Sequence, residues 1–153
     1  MTAEQLFMSA TTSSDHPSAV PREISPARCG ELLASRCRGR IAWTAPDGPQ
    51  ILPVSYTMLN QRIILRTSPY GLLSQLVRRQ AVAFEVEELQ PDSSSGWTVL
   101  VRGTVHELDR ADLQVGRAAL DTVTAWAPGS RNLLLAITAR SVSGREFRGH
   151  GPA

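Results

Sequence analysis

Lysine is absent: all 16 basic residues of this 153-residue chain are arginine. A Schiff-base lysine and a Walker-type phosphate loop are thereby excluded, since both need the ammonium group. Histidine is scarce, and His16, His106 and His150 are too far apart for metal-ligand spacing. The two cysteines, Cys29 and Cys37, flank an expected helix end, so they are spaced to pair, but they match no zinc or thiol-redox pattern and read as buried or idle thiols. Neither G-x-S-x-G nor G-x-G-x-x-G occurs, which argues against an α/β-hydrolase and a Rossmann dinucleotide site. No window approaches the roughly 20 apolar residues of a membrane helix, and no basic stretch precedes an apolar one at the N-terminus. A cytoplasmic protein without membrane contact is expected. An excess of one charge is also missing. Sixteen Arg against 14 acids leave +2, and the arginines are scattered rather than gathered with aromatics, so nucleic-acid binding is not expected despite a pI of 8.9.

What is present is an ordinary globular composition, 42% apolar and 20% charged, in a length that suits one domain. Residues 1–21 are polar and without period, and are expected to form a flexible leader, with order beginning near Ile24, a domain over 22–148 and a tail over 149–153. Ser25-Pro26 predicts a capped helix through Leu32 and Leu33 to about Ser35, with Ile24 stapled to it. Strands are predicted over Arg40–Thr44, Ile51–Leu59, Arg62–Thr67, Ala81–Val86, Trp97–Leu108 (the longest) and Leu133–Ala139. Pro46–Pro49 and Asn60-Gln61 read as turns, Gln90–Gly96 as a flexible loop and Ser143-Gly144-Arg145 as a turn into the tail. Pro53 implies an edge, a bulge or a missing ladder bond, and Gly103 a bulge or a close approach. Leu72, Leu73, Leu76 and Val77 predict a short amphipathic helix over Gly71–Arg79, and Asp109 caps another over about Ala111–Thr124. Six strands with short helices, mostly joined by hairpins, predict a small antiparallel barrel of the α+β kind.

The ordered strings Ile51-Leu52-Pro53-Val54-Ser55-Tyr56, Ile64-Leu65-Arg66-Thr67, Ala81–Val86, Gly96–Gly103 and Trp126-Ala127-Pro128-Gly129 resemble the pyridoxamine 5'-phosphate oxidase-like family over about residues 25–146. The resemblance implies a six-stranded split β-barrel that forms a homodimer, with flavin mononucleotide (FMN) or a deazaflavin between the subunits. It further implies a ring along Pro53, Val54, Ser55 and Tyr56, met by backbone groups. The phosphate is expected near Arg66, Thr67 and the helix start at Gly71, and Trp97 and Thr98 correspond to cleft positions. Leu72 stands where relatives commonly carry Lys or Arg. The activity implied is hydride transfer to a small-molecule substrate, with no side chain cast as catalyst and no metal. Alternatives are a dimeric protein that holds flavin or haem without turnover, and a member that has lost its cofactor.

Several residues have a second reading from period and position alone. Arg66 shares a strand face with Arg62, which suits a solvated face as well as a ligand. Trp97 suits a core or dimer anchor. Arg102 suits an ion pair with Glu85 or Glu87, or a phosphate contact. His106 suits a satisfied or exposed strand-end residue, and Trp126 either covers the cleft or pins its loop. Apolar residues on both strand faces, as in Val99-Leu100-Val101 and Ile63-Ile64-Leu65, call for a second copy to cover one face.

Overall fold

A computed structural model of the chain describes residues 21–91, 95–108 and 133–148. The expected leader, the helix over Ala111–Thr124, Trp126 and the tail beyond Arg148 lie outside them. The described strands are β1 (Arg22–Ile24), β2 (Arg38–Ala45), β3 (Gly48–Leu59), β4 (Arg62–Thr67), β5 (Gln80–Gln90), β6 (Ser95–Glu107) and β7 (Leu133–Phe147). All pair antiparallel in the order β1-β7-β4-β3-β2-β5-β6, and β6 pairs back with β7. Six strands thus close into a barrel, and β1 lies outside the ring against the far half of β7. The fold is the expected six-stranded split barrel, with β1 added to its sheet as a seventh strand. Among the described residues no helix is long and apolar enough to cross a membrane.

Alternation builds the interior. Ile41, Tyr56, Ile63, Leu65, Phe84, Val99, Val101 and Ile137 point inward from six different strands and merge into one buried cluster. The end of the barrel is covered by α1 (Pro26–Ala34), whose buried face is Cys29, Leu32 and Leu33 at helical spacing. Ser25 caps this helix as expected, its hydroxyl accepting from the Arg28 N–H at 3.2 Å, with Pro26 at the first position. Cys29 is buried and Cys37 exposed, and both are free thiols.

The two punctuating residues in the strands act as their chemistry requires. Pro53 opposes Arg40 on β2, and β4 pairing begins only at Tyr56, so Pro53 sits where β3 has a partner on one side alone. Between Arg102 and Gly103 the β6–β7 register shifts, Arg102 facing Ser141 and Gly103 facing Ala139, which leaves Arg140 as the extra residue of a bulge. A Cβ on Gly103 would collide with the Thr138 carbonyl.

Several boundaries differ from the sequence expectation, each for a physical reason. The longest strand is β7, with 15 residues, because Ser143-Gly144-Arg145 continues the ladder instead of turning. Gly144 is there because Ile24 and Cys29 press against its backbone, leaving no room for a side chain. The first described strand starts at Arg22, two residues ahead of Ile24, since β1 pairs with that same stretch. Leu72–Val77 is a 3-10 helix, shorter and tighter than the predicted turn of α-helix. β5 and β6 extend to Gln90 and Ser95, so Gln90, Ser95 and Gly96 of the predicted loop are paired strand, and residues 92–94 lie outside the described set. Ile64, expected to need a second copy to cover it, is instead fully buried within the chain, with Ala136 and Leu108 in a second apolar cluster.

Candidate functional site

The candidate site starts at the one-sided stretch of β3. From Gly48 to Val54 this strand pairs with β2 alone, so backbone groups alternating to its other side meet no strand. Period two then separates the four residues expected along a ring. Pro53 is exposed and Ser55 half-buried on the outer face, whereas Val54 and Tyr56 are buried in the core. Tyr56 is a structural residue in its side chain. Its hydroxyl donates to the Leu33 carbonyl at 2.6 Å, its ring meets Phe84 edge-on at 4.9 Å, and its N–H donates to the Cys37 carbonyl at 2.9 Å. Burial holds the phenol well above its ordinary pKa.

The same alternation parts Arg66 from Thr67. One step beyond the Tyr56–Leu65 pair, Arg66 lies on the outer face beside Ser55, while Thr67 points inward and is only 4% exposed. The turn that follows closes on itself: the Gly71 N–H donates to the Ser68 carbonyl (3.2 Å) and the Tyr70 N–H to the Ser68 hydroxyl (3.2 Å). The Gly71 carbonyl accepts from both the N–H and the hydroxyl of Ser74, at 2.9 and 2.7 Å. The expected amide of Gly71 is thus already used. Tyr70 and Leu72, 95% and 56% exposed, present apolar surface beside it.

Trp97 and Thr98 occupy another part of the molecule. In the ring β2-β3-β4-β7-β6-β5, strands β3 and β6 stand three steps apart either way, about 14 Å along the sheet at ~4.8 Å per step. Thr98 is on the outer face of β6, and Trp97 packs against the core at the rim. The Arg36 guanidinium lies 5.4 Å from the Trp97 ring centroid and also pairs with Glu88, which fixes the indole. One chain therefore assembles Pro53, Ser55 and Arg66, and keeps Thr98 on the opposite side.

The ion pair expected for Arg102 belongs to Arg40, which reaches Glu87 at 2.7 Å and Glu85 at 3.9 Å. Register explains the exchange, since Arg40 faces Glu85 directly across β2–β5 while Arg102 faces Ala83. His106 differs from both of its readings: its Nδ1 is buried and has no hydrogen-bond partner. Sequence reasoning missed the Trp43 indole, whose Nε1 is likewise buried without a partner. The surroundings of Gly103, already marked as a bulge, were the available signal for it.

The edge of β3, with Pro53 as a flat apolar plate, the Ser55 hydroxyl and the Arg66 guanidinium, fits the polar edge of an isoalloxazine-type ring and one phosphate charge. Comparison with known proteins places the chain in a family. A profile described as pyridoxamine 5'-phosphate oxidase matches residues 25–146. An uncharacterised protein of Mycobacterium tuberculosis is 35% identical over 121 residues, covering 69% of this chain and 79% of its own. Among solved structures, an FAD-binding protein of Mycobacterium smegmatis superposes with a TM-score of 0.68 at 25% identity, covering 83% of this chain and 100% of that one. A second FAD-binding protein, from Mesorhizobium loti, gives a TM-score of 0.72 at 22% identity over 84% and 97% of the two chains, a likeness of fold.

Proposed function

This chain belongs to the pyridoxamine 5'-phosphate oxidase-like family, and from that premise we propose that it is a flavin-nucleotide-dependent oxidoreductase working as a homodimer, with the cofactor held between two copies. The observation that supports this most is the division of the candidate site. Pro53, Ser55 and Arg66 share one side of the barrel, and Thr98 stands on the opposite side. A ring laid along β3 of one copy meets Thr98 only if a second copy presents its β6. Such a cleft excludes water from both ring faces, which a site on a single barrel's outer surface does not.

When bound, the ring supplies the hydride chemistry. The chain's own groups position it: the open edge of β3 orients the polar side of the ring, and Pro53 supports its plane. Ser55 offers a hydroxyl, and Arg66 offsets phosphate charge. None of these side chains must gain or lose a proton near neutral pH. The substrate is a small molecule that enters the same cleft.

The outward Leu72 and the engaged amides of Tyr70 and Gly71 favour one rival, a family member that holds its flavin weakly or not at all. The absorption spectrum of the protein as isolated, followed by titration with FMN, FAD, riboflavin and a deazaflavin, separates the readings. Binding followed by bleaching with a nicotinamide or deazaflavin donor supports the oxidoreductase. Binding that no donor reduces supports a carrier, a haem absorption band in the isolated protein supports a haem carrier, and no such band with no binding of any of the four supports cofactor loss.

A further inference from the structure

The Arg140 bulge creates a feature that the flavin site does not use. Past Ala42, β2 leaves β5, because their pairing covers only Arg40–Ala42. The opening so formed is a cleft of about 590 Å³ between the β2–β3 hairpin, the start of β5 and the β6–β7 bulge. Its polar lining is Thr44, Gln50, Arg102, Arg140 and Ser141, together with the Trp43 indole, and it contains no carboxylate. Asp47, in the hairpin turn, accepts from Gln50 Nε2 at 3.4 Å but does not line the cleft. Glu85, the acid nearest in register, faces Arg40.

Two guanidinium groups therefore share one opening that no carboxylate lines, and Arg102 meets Glu23 and Glu85 only as co-lining residues of the adjoining cleft, where Glu85 pairs with Arg40. In a regular ladder Arg140 would face a β6 residue. The shift at Arg102/Gly103 instead leaves it unopposed and turns it toward the same cleft as Arg102. Among the described residues neither arginine forms an ion pair, and the Trp43 Nε1–H is a buried donor with no acceptor. The bulge is built in, since Gly103 is the residue that lets the Thr138 carbonyl approach.

We propose that this cleft binds a phosphate group, free or as the monoester of a small molecule, through Arg102 and Arg140. The charges match: two permanent cations face a dianion, and each planar guanidinium can offer a pair of parallel N–H donors to phosphate oxygens. Ser141 and Thr44 add hydroxyl donors, and the volume exceeds what a bare phosphate fills. Trp43 lines the same cleft and so can report on its occupancy. The site is separate from the ring edge at Pro53 and Ser55 and does not rest on the flavin reading.

The test follows the Trp43 indole N–H resonance, identified through Trp43→Phe, while sodium phosphate replaces sodium chloride at constant ionic strength. A saturable shift is expected, with Arg140→Gln and Arg102→Gln each weakening phosphate at least tenfold and Arg22→Gln, on β1, leaving it unchanged. Glycerol phosphate that binds as tightly as phosphate or tighter assigns the monoester, and weaker binding assigns free phosphate. Arg140 is exposed, so its variant keeps the test valid even if Arg102→Gln folds poorly. A shift that acetate reproduces in full, a shift that does not saturate, or an Arg140→Gln protein that binds phosphate as the parent does would overturn the proposal.

Discussion

Tyr56 is occupied on every side by its own chain, through Leu33, Phe84 and Cys37. Tyr56→Phe leaves the Leu33 carbonyl only the longer bond from the Arg36 N–H at 3.4 Å, so chemical denaturation should show a loss of about 0.5–1.5 kcal/mol, with flavin affinity unaltered. The raised phenol pKa sets a direction in pH. The folded state keeps the proton above 10.0, the ordinary tyrosine value, where the unfolded chain releases it. Stability is thus fully present below that pH, and above it falls by about 1.4 kcal/mol per pH unit. Cys29, raised from 9.0 by burial, adds a like decline that begins one unit lower. Melting curves between pH 8 and 11 should show both, and Tyr56→Phe should remove only the later one. Arg66 carries the opposite kind of prediction. Arg66→Ala should weaken FMN by about 1.5–3 kcal/mol, Leu72→Lys should strengthen it, and riboflavin, without the phosphate, should respond to neither. Fluorescence titration of the three proteins with both ligands measures this. Strand alternation was legible here from the residues alone. What it meant for the site was not, because a string such as Arg66-Thr67 reads as one motif, while its two side chains point to opposite faces of β4.

At the scale of elements, the β3–β4 hairpin is the clearest case of sequence and structure agreeing. Asn60 and Gln61 both adopt positive φ, 48° and 61°, as a two-residue hairpin turn of the twisted kind requires. Asn tolerates that conformation better than Gln does. Gln61→Gly should therefore raise stability by roughly 1 kcal/mol, measured by urea unfolding, with the slope of the transition unchanged. The bulge makes the contrary prediction: Gly103→Ala should lower stability by on the order of 2 kcal/mol or more, since the Thr138 backbone must retreat. Helix α1, the β3–β4 hairpin and the strand cores were readable because capping, turn chemistry and period two are local. The end of β7 was not. Gly144 looks like a turn residue in the sequence, and only the three-dimensional proximity of Ile24 and Cys29 explains a glycine within a strand. The predicted helix over Gly71–Arg79 tightened to a 3-10 segment for a related reason. The Ser68 turn takes up the entry with its own hydrogen bonds, so only six residues remain.

At the scale of the whole molecule, the barrel places its candidate groups on opposed strands, an arrangement that a pairing order of seven strands reveals and a linear sequence hides. Family resemblance supplied the architecture and the expectation of a shared cleft; the strand order supplies a geometric reason for it. The apolar residues left outside point the same way. Ile51 is 65% exposed two residues from Pro53, and Leu100 lies outward beside Thr98. Covering such a surface with a second copy should bury on the order of 2,000 Å² or more. The central claim is that two copies build one type of flavin site across their interface. Sedimentation velocity recorded at both a protein and a flavin wavelength, at micromolar concentration with saturating flavin nucleotide, tests it in one measurement. The account predicts a single dimeric boundary carrying flavin in a ratio of one per chain. A monomeric boundary, with or without flavin, would contradict it.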